Sequence, residues 1–256
     1  MNTKEFYIDH DGCKIHCKLD YPKHMKSEND KCPLFILEHG FTGHMEERHI
    51  TGIAKTVQDY GYAVLRVELY GHGKSDGEFK NHTIFKWIDQ MQTVIDYAEA
   101  LPFSTDLYLA GHSQGGLTTM IVGAMERERL KAILPLAPAI VILDGARKGD
   151  MLGNKFDPEH LPEELVFWDG KVLGPNYVRA AQYLPVEAAM RDFKKPVLIV
   201  HGDADEAVPV KYAYYAATVY ENCTLKIIKG DTHCYDNHLE EVYEAICEFL
   251  DELKEK

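Results

Sequence analysis

Long apolar runs are missing from this sequence. No window approaches the roughly 20 consecutive apolar residues that a membrane-spanning helix needs. The first ten residues, M-N-T-K-E-F-Y-I-D-H, carry no apolar core of a secretory signal. Basic residues are scarce as well: 28 Lys and Arg stand against 41 Asp and Glu, a formal net charge of -13. A nucleic-acid ligand needs a basic face, so this balance argues against a polyanion partner and leaves a neutral or weakly charged substrate. Cysteine is present but unpatterned. Cys13, Cys17, Cys32, Cys223, Cys234 and Cys247 fit neither a disulfide framework nor zinc-ligand spacing. Cys13 and Cys17 share one face of an expected strand, yet no second pair completes a site. The expectation is reduced thiols in a cytoplasmic protein, with no metal and no cofactor. Internal repeats and low-complexity stretches are also lacking, and a 45% hydrophobic content is ample for one sizeable core.

What the sequence does have is a set of glycine-bounded turns, each following a short apolar run. The most informative lies in residues 107–116, L-Y-L-A-G-H-S-Q-G-G. The four apolar residues are too few for a helix and read as a buried strand. Leu117, Met120, Ile121 and Ala124 then recur at spacings of three and four, a helical stripe. A serine on such a strand-to-helix turn is forced into a strained conformation that lifts its Oγ out of the sheet, and glycines must flank it because a Cβ would collide. The pentapeptide G-H-S-Q-G arises by chance in roughly one chain in ten of this length, and a serine that merely caps the helix would look alike. The rest of the chain therefore decides its meaning.

Residues 6–9 and 14–19 flank Asp11-Gly12, a strong hairpin signal. Strands are expected at 34–37, 63–67, 107–110, 132–136, 197–200 and 225–228, with helices at 46–60, 83–101, 114–125, 210–219 and 238–253. Between about 138 and 191 the alternation stops. Prolines, glycines and scattered aromatics take over, with one hairpin signal at 166–173 turning on Asp169-Gly170. The expected fold class is α/β: an eight-stranded, mostly parallel sheet with helices on both faces, and an inserted lid where ligands bind such sheets. A single domain over 1–256 accounts for all of it.

A serine hydroxyl needs a base, and the base needs an acid to hold its tautomer. The strand at 197–200 runs into H-G-D-A-D-E-A-V-P, and the strand at 225–228 into K-G-D-T-H. Acid and base thus follow Ser113 in chain order, each just past its own strand. His233 stands out among thirteen histidines because it lies on the turn before the last helix. Asp203, Asp205 and Glu206 compete for the acid. The oxyanion of acyl transfer needs donors, and the main-chain N–H groups of Gln114 and Phe41 are placed to supply them, the first at a helix N-terminus.

These motifs together, H-G-F at His39, G-H-G-K-S at Gly71, G-H-S-Q-G at Gly111, H-G-D-A-D-E-A-V-P at His201 and G-D-T-H at Gly230, resemble the α/β-hydrolase superfamily over the whole chain. The resemblance places the acid at Asp205; one departure is Glu68, where relatives usually carry Asp. Within the insertion, A-P-A at Ala137, D-P-E-H-L-P at Asp157 and G-P-N-Y-V-R-A-A-Q at Gly174 are similar to intracellular bacterial cinnamoyl (feruloyl) esterases. That likeness implies Tyr177 and Asp144 as polar groups for the phenolic end of a hydroxycinnamate; packing of Tyr177 under the lid and a turn-capping Asp144 are the alternatives. Trp168 either lines the acyl pocket or forms the hairpin's own core. The implied function is a serine carboxylesterase for feruloyl-type esters, with a small-molecule ester as partner, no nucleic acid and no membrane, and a homodimer suggested by relatives. A histidine base predicts activity that falls as pH drops through about 6 to 7. The alternatives are a monoacylglycerol lipase, short-chain carboxylesterase or thioesterase of the same fold, or a non-catalytic binding protein. Five acidic residues that interrupt the lid (Asp157, Glu159, Glu163, Glu164, Asp169) count against a lipase.

Overall fold

The computed structural model describes residues 3–27, 29–167 and 169–254. The chain opens on β1 (Lys4–His10) and β2 (Cys13–Asp20), paired antiparallel from Lys4↔Leu19 to His10↔Cys13. Asp11 and Gly12 both take positive φ, 49° and 79°, as a two-residue hairpin turn demands. There follow β3 (Cys32–Glu38), α1 (Arg48–Tyr60), β4 (Ala63–Glu68), α2 (Ile84–Ala100), β5 (Ser104–His112), α3 (Gln114–Met125) and β6 (Leu130–Leu136). An insertion comes next: α4 (Val141–Lys148), the short strands β7 (Asp150–Met151), β8 (Asn154–Lys155), β9 (Leu165–Val166) and β10 (Val172–Leu173), then α5 (Pro175–Gln182) and α6 (Val186–Asp192). The chain closes with β11 (Val197–Gly202), α7 (Lys211–Val219), β12 (Cys223–Ile228) and α8 (Leu239–Lys254).

Eight strands form one sheet in the order β1-β2-β4-β3-β5-β6-β11-β12. All pairings from β4 onward are parallel. Parallel strands are covered by helices on both faces, which is why β3, β5 and β11 read as continuous apolar runs rather than alternating ones. Alternate residues nonetheless feed two separate cores. Leu34, Ile36, Leu109, Ile133 and Ile199 belong to the layer shared with α2 and α3. Phe35, Leu37, Tyr108, Leu134 and Val200 belong to the layer shared with α1 and α8. Thr83 caps α2 by accepting from Lys86 N, and Gly61 ends α1 in the left-handed conformation, φ 117°.

The insertion departs from the sequence reading, which found one hairpin there and no helices. The hairpin is β9–β10, turning at Asp169-Gly170, but α4, α5 and α6 flank the short strands. Each has only seven or eight residues, two turns, too short for a 3.6-residue period to stand out. Local signals do exist: Pro175 is the first residue of α5, a favoured position. Gly145 disguises α4. A Cβ there would lie 2.5 Å from Asp150 O, so close packing of the next strand forces a helix-breaking residue into a helix.

Candidate active site

Ser113 occupies the turn between β5 and α3 with φ 59° and ψ −115°. Non-glycine residues rarely hold positive φ unless their surroundings over-determine it. Here three main-chain bonds do so: Ser113 N–H to Leu136 O (2.8 Å), and Leu117 N–H (3.0 Å) and Ala139 N–H (2.9 Å) to Ser113 O. The turn closes only because two neighbours lack a side chain. A Cβ on Gly111 would lie 2.4 Å from Gly115 C, and one on Gly115 would lie 2.4 Å from His39 O.

Beyond β12, the turn after Gly230 brings His233 Nε2 to 2.9 Å from Ser113 Oγ. His233 Nδ1 lies 2.7 Å from Asp205 Oδ2, and Asp205 Oδ1 accepts from Ala207 N (2.9 Å) and Val208 N (2.7 Å). Of the three acids considered after β11, Asp203 instead accepts from Gly230 N and Glu206 is exposed. Burial alone would raise the Asp205 pKa, but the bonds from His201 and His233, the His233 charge and the Val208 amide outweigh it and hold it well below the carboxylate range. His201 is a residue whose role sequence reasoning missed. It is fully buried, donates from Nε2 to Val208 O at 2.9 Å and touches Asp205 Oδ2 at 3.1 Å. Asp231 is another: buried, it accepts from the Thr232, Asn237 and His238 amides and fixes the turn that carries His233.

The main-chain N–H groups of Phe41, in the loop after β3, and Gln114, at the start of α3, have no acceptor among the described residues. Histidines hold the Phe41 loop. His39 takes the Leu69 N–H at Nε2 (3.2 Å) and donates from Nδ1 to Gly40 O (2.7 Å). His72 takes the Thr42 N–H at Nε2 (3.3 Å) and donates from Nδ1 to Tyr70 O (3.0 Å). Burial keeps both rings neutral, pushing His72 down to about 4 and His39 well below its ordinary value, so each can accept with one nitrogen while donating with the other. Glu68, the departure from the family pattern, accepts from Lys74 N and pairs with His16, both at 2.7 Å. It braces the G-H-G-K-S loop rather than the reacting groups.

Ser113, His233, Phe41, Val208 and Tyr177 line a pocket of about 140 Å³, roofed by Ala139, Val141, Ile142, Met151 and Leu152 from the insertion. Mutual hydrogen bonds join a serine hydroxyl, an imidazole and a carboxylate in one chain, the kind of arrangement acyl transfer requires. The serine aminopeptidase S33 family profile matches residues 30–166, more than half of the chain. The protein belongs to this family of α/β-hydrolases.

It is an esterase-like serine hydrolase. Est1E from Butyrivibrio proteoclasticus, solved with ferulic acid bound, is 54% identical, covering 98% of this chain and 100% of its own with a TM-score of 0.95. A monoglyceride lipase homolog of monkeypox virus is 24% identical over 94% of this chain and 93% of its own. A monoacylglycerol lipase of Mycolicibacterium smegmatis is 24% identical over 72% and 74%. No helix among the described residues is long and apolar enough to cross a membrane.

The insertion residues singled out in this hydrolase fare differently. Tyr177 lines the Ser113 pocket, but its buried hydroxyl donates to Gln114 Oε1 at 2.6 Å, so the ring forms a wall and the polar end ties α5 to α3. Asp144 does not line that pocket. It accepts from Tyr212 (2.8 Å) and Lys148 (3.1 Å) in an adjoining groove that shares Val141, Ile142, Met151 and Leu152 with it. Trp168 lies outside the described residues. His82 was not anticipated. Its ring packs on Phe41 and Tyr177, its Nδ1 donates to Phe79 O, and burial pushes its pKa down to about 3.

Proposed function

We propose that this hydrolase cleaves esters of hydroxycinnamic acids through an acyl-enzyme on Ser113. The observation that carries the substrate class is the 54% identity, over nearly the whole chain, to a protein solved with ferulic acid bound. Ser113 Oγ attacks the ester carbonyl while His233 Nε2 takes its proton, and the Phe41 and Gln114 amides hold the oxyanion. Asp205 keeps His233 in the tautomer with the proton on Nδ1 and stabilises the imidazolium. His233 then protonates the leaving alcohol, and a water activated by the same nitrogen releases the acid. No step calls for a metal or cofactor.

The pocket suits an aromatic acyl group, since the aromatic side chains of Phe41 and Tyr177 line it. A para-hydroxyl extending past Met151 and Leu152 reaches toward Asp144 and Tyr212 in the adjoining groove. Asp144 is the insertion side chain proposed to recognise it, and Trp168 is proposed to line the acyl pocket. The six free thiols fit a reducing, cytoplasmic setting.

The relatives named as monoacylglycerol lipases favour a second reading, an aliphatic esterase on the same Ser113, His233 and Asp205. Comparing kcat/KM for methyl ferulate, p-nitrophenyl butyrate and a monoacylglycerol, with Ser113→Ala as the blank, decides between them. Preference for ferulate supports the proposal. Preference for the aliphatic esters leaves the acyl-enzyme in place and overturns the hydroxycinnamate assignment.

A further inference from the structure

Against the His233 turn lies a group of side chains that the acyl-enzyme reaction does not use. His49 on α1, His112 at the end of β5 and Cys234, next after His233, bring two nitrogens and a sulfur within 4.8 Å of one another. His112 Nε2 lies 2.8 Å from His233 O. A carbonyl only accepts, so Nε2 carries the ring proton and Nδ1 is a bare lone pair. That lone pair faces His49 Nε2 at 3.1 Å, and the single proton between the rings sits on His49. Shifting it to His49 Nδ1 leaves two unprotonated nitrogens 3.1 Å apart. Nitrogens bound tetrahedrally to zinc stand about 3.3 Å apart, close to the separation already present.

Two further observations point to a ligand. A histidine whose second nitrogen donates to a carbonyl has its ring fixed in the way metal-bound histidines are fixed, and His112 has that bond in place. Both rings are buried and neutral, as ligands must be; burial pushes His49 down to about 4 and His112 well below its ordinary value. Cys234 is half-buried, the most exposed of the three groups. Burial pushes its thiol up to about 11, and the charges of Glu47, Asp236 and Asp205 add to this. The same negative charges draw a cation.

We propose that His49, His112 and Cys234 form a site for a thiophilic divalent cation of the zinc class, and that its occupation inhibits the hydrolase. On binding, the Cys234 S–H bond breaks, its proton passes to solvent and a metal–thiolate bond forms. The ion then sits beside His233, whose ring centroid is 4.7 Å from that of His112. Its charge opposes the imidazolium that must form when Ser113 attacks. Inhibition rests on the proposed acyl-enzyme reaction, whereas metal binding does not.

The test titrates Co2+ into the full-length, metal-free protein and reads its absorbance. A near-ultraviolet thiolate-to-cobalt band with the visible bands of a tetrahedral site is expected at one equivalent. Cys234→Ser should abolish the near-ultraviolet band, and His49→Gln should weaken Co2+ binding by about tenfold or more. In parallel, Zn2+ should inhibit p-nitrophenyl butyrate hydrolysis, and each variant should need about tenfold more zinc, measured against its own basal rate. Absence of the cobalt band from the unaltered protein overturns the site. Equal zinc sensitivity of all three proteins overturns the inhibitory role, because the zinc would then act on His233 itself. A protein inert toward every ester defeats the acyl-enzyme reading alone, since the cobalt titration still decides the site.

Discussion

Asp203 and Asp205 stand two residues apart on one loop, and their side chains do different work. Asp203 ties its loop to Gly230, while Asp205 meets His233, His201 and two amides. Asp205→Asn leaves the ring of His233 without its acceptor and is expected to lower kcat by about 10⁴, with fluorophosphonate labelling of Ser113 slowed in parallel. Asp203→Asn removes one charge-assisted bond between turns and is expected to cost about 1–2 kcal/mol of stability with kcat nearly unchanged. Reversal of these two outcomes in a kinetic comparison would move the acid to Asp203. The choice was not readable from spacing, because both residues lie just past the same strand; only the path of the β12 turn brings His233 to one of them.

At the scale of elements, α3 approaches the loop after β3 closely. Gly115→Ala would drive a Cβ into His39 O, separating the Ser113 turn from the Phe41 amide. A loss of about 1–3 kcal/mol in urea denaturation is expected, together with loss of activity toward every ester. The second junction is α5 on α3, through Tyr177 and Gln114. Tyr177→Phe strands the buried Gln114 carbonyl, whose amide nitrogen already lacks a partner among the described residues. A fall of roughly tenfold in kcat/KM is expected, equal for methyl ferulate and methyl cinnamate, because the hydroxyl positions Gln114. A fall confined to methyl ferulate would return Tyr177 to the phenol end of the substrate. The long elements α2, α3 and α8 were legible in the sequence, since several turns of apolar periodicity reinforce one another. The two-turn helices of the insertion were not, because their register is set by what they pack on.

Across the whole molecule, the histidines determine how the fold responds to acid. His39, His49, His72, His82 and His112 are all buried, and burial is the largest cause of their lowered pKa values. Unfolded, each would bind a proton near its ordinary value of about 6.5. Between that pH and the lower folded value, the unfolded chain holds more protons than the native one. Stability is therefore full above about pH 6.5 and falls as pH drops, by up to about 1.4 kcal/mol per pH unit for each ring. Asp205, held low, adds a loss below about pH 4. Glu38 acts the other way. Fully buried, with its pKa raised by burial against the Thr119 bond, it keeps its proton in the fold and favours the native state as pH falls. Glu47, which burial also raises, acts in the same sense as Glu38, and two carboxyls against five imidazoles leave the net sign clear. Thermal denaturation should show Tm dropping steeply between pH 7 and 4.5, whereas a Tm flat over that range would mean that the rings are charged in the native protein.

The sequence by itself determined the α/β fold and the positions of Ser113 and His233 along it, and narrowed the acid to the loop that carries Asp203, Asp205 and Glu206. These features are local: a short apolar run forms a buried strand, a glycine-flanked turn ends it, and the chemistry sits on that turn. Even the two cores are written in alternate residues of β3, β5 and β11. Tertiary structure decided what depends on neighbours distant in the chain. It gave the Tyr177 hydroxyl to Gln114, put Asp144 with Tyr212 in the adjoining groove, set His201 beside Asp205, and gathered His49, His112 and Cys234 behind one turn. A hydrogen bond or a ligand set is a property of distance in space, and no spacing of residues along the chain reports it.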